Sequence, residues 1–67
     1  MQAGPPKVLQ VLNHPTSAAL QARLQQLGAQ FRRNCEYTGR PLYKSASGVV
    51  LRLASPTALE VLSNCVC

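Results

Sequence analysis

The sequence predicts an α+β fold: a small two-layer sandwich with element order β-α-β-β-β-α, a mostly antiparallel sheet, and both helices on one face. Three observations predict it. Leu20, Leu24 and Leu27 recur at helical spacing behind Pro15-Thr16-Ser17. Alternating segments between residues 30 and 54 are punctuated by two turn-forming stretches, Thr38-Gly39-Arg40-Pro41 and Ser45-Ala46-Ser47-Gly48. A second Pro-Thr pair, in Ser55-Pro56-Thr57, repeats the helix-start chemistry near the end of the chain.

Residues 1–6, with Gly4-Pro5-Pro6, read as a flexible leader, and residues 7–67 as one small domain. Lys7 to Leu12 is short, apolar-rich and closed by Asn13-His14-Pro15, which predicts a strand ending in a turn. Pro15-Thr16-Ser17 then opens a helix, since Pro suits the first helical position and Thr or Ser caps orphan N–H groups. Gly28 ends that helix in a left-handed cap. Gln30 to Tyr37 alternates, with Phe31, Arg33, Cys35 and Tyr37 on one face and Arg32, Asn34 and Glu36 on the other. Leu42-Tyr43-Lys44 is the returning strand, and Val49 to Ala54 a further strand with Val49, Leu51 and Leu53 on one face. After Ser55-Pro56-Thr57, Leu59, Leu62 and Val66 mark the buried face of a short final helix.

Composition bounds the function. The chain has 67 residues, 46% of them apolar, and ten leucines and six valines make up most of its larger apolar side chains. That is a thin core for a domain this small, so dimerisation or partner binding is expected to contribute to stability. A self-sufficient enzyme is not expected. Asp is absent and Glu occurs only at 36 and 60, which leaves almost no material for paired-carboxylate catalysis or an oxygen-ligand metal site. A Cys35 or Cys65 nucleophile with His14 as base lacks an orienting Asp and any family signature around the thiol. His14, Cys35, Cys65 and Cys67 match a tetrahedral zinc site in number, but their spacing fits no standard finger, and no cofactor is expected. Three cysteines, and no apolar run longer than three residues such as Val49-Val50-Leu51, predict reduced thiols, a cytoplasmic setting and no membrane partner.

The charge is the sharpest signal. Lys and Arg number seven against two acids, a net +5, which favours polyanions and anionic surfaces. Five of the seven cations, Arg32, Arg33, Arg40, Lys44 and Arg52, fall in the three-stranded section, with Tyr37 and Tyr43 among them. Guanidinium for phosphate and an aromatic face for an unstacked base are what nucleic-acid contact uses. The order after residue 15, helix, three strands, helix, resembles the architecture of the double-stranded-RNA-binding domain and its small relatives among toxin folds. Its lysine-rich helix start is missing here, where the last helix would begin Ser55-Pro56-Thr57-Ala58-Leu59-Glu60. The expected function is thus a non-enzymatic binding module whose basic sheet face contacts nucleic acid through those seven residues. The alternative is a small regulator or inhibitor that occludes a site on a larger protein, using a sheet edge or the Gln-rich helix, with a homodimer as a further expectation.

Overall fold

The computed structural model describes residues 7–63. The leader reading of residues 1–6 and the readings placed on Cys65, Val66 and Cys67 lie outside the described residues. The chain forms β1 (Val8–Asn13), α1 (Ser17–Gln26), β2 (Gln30–Asn34), β3 (Pro41–Lys44), β4 (Val50–Ser55) and β5 (Ala58–Leu62). The α+β class holds, with one helix and a five-stranded antiparallel sheet among the described residues, in the order β1-β5-β4-β3-β2.

Helix α1 has defined ends. Thr16, extended at φ −143° and ψ 162°, accepts a hydrogen bond from the Ala19 N–H at 3.1 Å, which satisfies one of the first-turn donors. At the other end the Gly28 N–H donates to Gln25 and the Ala29 N–H to Leu24, the paired bonds of a Schellman motif. Gly28 is left-handed at φ 65°, a conformation that favours glycine, and a Cβ there would press on that of Ala46 at 3.0 Å. The helix leads from one edge of the sheet to the other. Leu20 and Leu24 are buried against Leu51 of β4 and Leu59 of β5, with Leu12, Tyr43, Leu53 and Val61 around them.

The final helix is not formed, so the two helices expected on one face are corrected to one. Residues 58–62 make β5, a central strand paired with β4 on one side and β1 on the other. Leu59 and Leu62 are both buried, as the helical spacing required, but in separate clusters: Leu59 with the helix, Leu62 with Cys35 and Leu42. A separation of three residues places side chains together on a helix and on opposite faces of a strand. Pro56 and Thr57 turn a hairpin in place of starting a helix, because φ near −65° serves the first central position of a type I turn as well as a helix start. Thr57 does not have positive φ, so the turn is not of the primed kind that matches strand twist, and the ladder shifts register between Leu53 and Ser55. With the second helix goes the architectural likeness to double-stranded-RNA-binding domains.

Strand β2 ends at Asn34, earlier than the alternation to Tyr37 predicts. Its ladder also shifts register between Phe31 and Arg33, and this changes the faces. Phe31 pairs with Tyr43 and Arg33 with Leu42, so the two leave the sheet on opposite sides where simple alternation placed them together.

Candidate nucleic-acid interface

Cross-strand partners share a face, so the registers place the charged residues. Arg33, Leu42, Arg52, Glu60 and Val11 form one row across all five strands, on the face away from the helix. Gln30, Lys44, Val50, Leu62 and Val8 form the next row on the same face. Phe31, Tyr43, Leu51 and Val61 form a row on the helix side.

Arg52 leaves the exposed set. It is 8% exposed, its Nε donates to Glu60 Oε1 at 2.8 Å, and its Nη1 donates to Cys35 Sγ at 3.6 Å. Burial works against the charge, but the hydrogen bonds to Glu60 and Cys35, and the attraction of both groups, outweigh it and hold the guanidinium pKa above its ordinary value. Arg52 therefore stays charged and internally committed. One of the chain's two carboxylates is consumed in holding it.

The other four predicted cations are exposed and sit on the β2–β3 hairpin. Arg32 lies at the register shift, Arg33 on the row just described, and Lys44 on the neighbouring row. Arg40 closes the connecting loop, where Cys35 donates its N–H to the Arg40 carbonyl at 2.7 Å and Gly39 donates to that of Cys35. The Arg40 Nη1 donates to the Ala54 carbonyl at 2.7 Å; this fixes the loop against β4 and leaves most of the guanidinium's five donors available. Glu36 is the one acid on the hairpin.

The aromatics divide differently from their order in the sequence. Tyr37 is 45% exposed on the loop beside the cations. Tyr43 is half-buried against the helix-side core, edge-on to Phe31 with ring centroids 6.0 Å apart. The structure thus does not bring Tyr43 onto the face of Arg33 and Lys44. Phe31, 57% exposed, is the aromatic that sequence reasoning passed over; its signal was an aromatic directly beside two arginines. A contact surface built from these residues wraps the β2 edge, with cations on one side and the Phe31 ring on the other.

Of the four zinc candidates, Cys65 and Cys67 lie outside the described residues, and His14 and Cys35 are placed apart from any other candidate ligand among those described. His14 has its Nδ1 3.3 Å from the Thr57 carbonyl, Cys35 is buried beside Arg52, and no group of three or more His, Cys, Asp or Glu side chains lies within metal-binding reach. No helix among the described residues is long and apolar enough to cross a membrane. Compared with known proteins, the chain shows no significant match to a protein-family model, a curated protein or a solved structure.

Proposed function

We propose that the protein is a non-enzymatic binding module that grips the nucleic-acid phosphate backbone with its β2–β3 hairpin. The observation that carries this reading is the hairpin's exposed cation set: Arg32, Arg33, Arg40 and Lys44, opposed there only by Glu36. A cationic sheet edge with aromatic side chains beside it suits a phosphate backbone laid along it. Phe31 and Tyr37 add stacking area at the edge and the tip. Backbone contact of this kind carries no sequence preference by itself.

The test is the salt dependence of binding to single- and double-stranded oligonucleotides, read by fluorescence anisotropy. Four phosphate contacts give a log–log slope of about −3 to −4. Arg33→Gln and Lys44→Gln each reduce that slope by about one. Absence of binding at low salt, or a slope untouched by both substitutions, overturns the reading.

A further inference from the structure

The sheet has two edges, and they differ in what they tolerate. At β2, Arg32 and Arg33 repel the same edge of a second copy. At β1 the strand VLQVLN holds no charge and leaves Val8, Leu9 and Val11 exposed at 42, 64 and 48%. An apolar, uncharged edge is a template for another strand, and within β1 itself there is no lysine or proline; Lys7 flanks the strand at its N-terminal end, held to Ser63. A register shift between Val8 and Gln10 is the one irregularity, and from Gln10 to Asn13 the pairing with β5 is regular.

The backbone shows which groups face outward. His14 donates its N–H to the Thr57 carbonyl at 2.8 Å, continuing the register Leu12↔Leu59 and Gln10↔Val61. Hydrogen-bonded and non-hydrogen-bonded pairs alternate in an antiparallel ladder, so Gln10, Leu12 and His14 direct their polar groups to β5. Those of Val11 and Asn13 then point away from the sheet, and among the described residues no strand pairs with that side.

From this we infer that β1 pairs antiparallel with β1 of a second copy of the chain, about a two-fold axis, so that two five-stranded sheets become one. Charge and closure select that occupant. A chain of net +5 meets its own copy with less repulsion where the paired strands, Val8–Asn13, hold no cation than where they hold Arg32 and Arg33. β1 supplies such a surface to both partners, whereas Arg32, Arg33, Arg40 and Lys44 lie toward the far edge. Pairing β1 with β2 of another copy would place Arg32 and Arg33 at the junction and would leave a free edge at each end, growing without limit. Pairing β1 with β1 stops at two. The inference does not depend on nucleic-acid binding, and its test uses none.

Size-exclusion light scattering of the full chain at high micromolar concentration reads the mass. Twice 7.2 kDa is expected. Val11→Pro removes an outward N–H that β5 does not use, a position where an edge strand accommodates proline, and is expected to halve the mass with the circular dichroism spectrum unchanged. Should Val11→Pro fail to fold, Val11→Lys places like charges at the junction and is expected to halve the mass in its place. A wild-type mass of 7.2 kDa, a mass rising past the dimer, or a dimer that survives the folded variant overturns the inference.

Discussion

Arg33 and Arg52 are indistinguishable as letters, since both are arginines in alternating segments, yet the folded chain uses them in opposite ways. What separates them is register: Arg52 stands directly opposite Glu60, and Arg33 stands opposite Leu42 at the edge. The Arg52 and Glu60 side chains retain 10 and 20% of their exposure, so loss of one partner leaves the other largely out of water. Arg52→Leu is expected to lower the free energy of unfolding by about 1–3 kcal/mol, measured by urea denaturation. Arg52→Leu combined with Glu60→Leu is expected to lose less than the single substitution, because no charge is then left without its partner. A double variant as damaged as the sum of the singles would mean that the pair does not act as a unit. The sequence showed which residues could carry charge but not which were already engaged, because the Arg52 partner lies eight residues away across a hairpin that was read as a helix start.

At the level of elements, β1, α1 and the strands β2 to β4 were legible from periodicity and turn residues, and β5 was not. The two Pro-Thr pairs show why. Behind Pro15-Thr16 lie ten residues of good helix formers with leucines four apart, long enough to bury a stripe against the sheet. Behind Pro56-Thr57 the five residues Ala58–Leu62 form a strand, and so short a helix is marginal in water. As a central strand the same residues gain ladders on both sides. Local chemistry was equal at the two sites, and tertiary pairing decided between them. Leu59 and Leu62 make the difference measurable. On a helix they would touch, whereas in β5 they belong to separate clusters. Leu59→Ala and Leu62→Ala are each expected to cost about 2–5 kcal/mol, and the double variant to match their sum within roughly 0.5 kcal/mol. A clear coupling energy between them would contradict the strand.

For the whole molecule, the distribution of charge across the sheet links the two proposals. The cationic β2–β3 hairpin is at one edge and the neutral strand β1 at the other, with β4 and β5 between. A dimer joined through β1 therefore carries its two hairpins at the outer ends of a continuous sheet. With neighbouring strands about 4.8 Å apart, the two β2 strands lie roughly 40 Å from each other. On a duplex rising about 3.4 Å per base pair, one dimer then needs about twelve base pairs to engage both hairpins. Below that length each hairpin binds alone; above it the second contact becomes intramolecular and the apparent affinity rises well beyond that of one site. Wild-type protein is accordingly expected to show a step in affinity as duplex length passes that span, and Val11→Pro a gradual increase without the step, both measured by anisotropy at one fixed salt concentration. Short duplexes serve as the internal control, since they report the hairpin alone and are expected to bind both proteins equally. A step that persists in a monomeric Val11→Pro would show that avidity arises elsewhere, and equal weakening on short and long duplexes would show that the substitution had reached the hairpin through the fold.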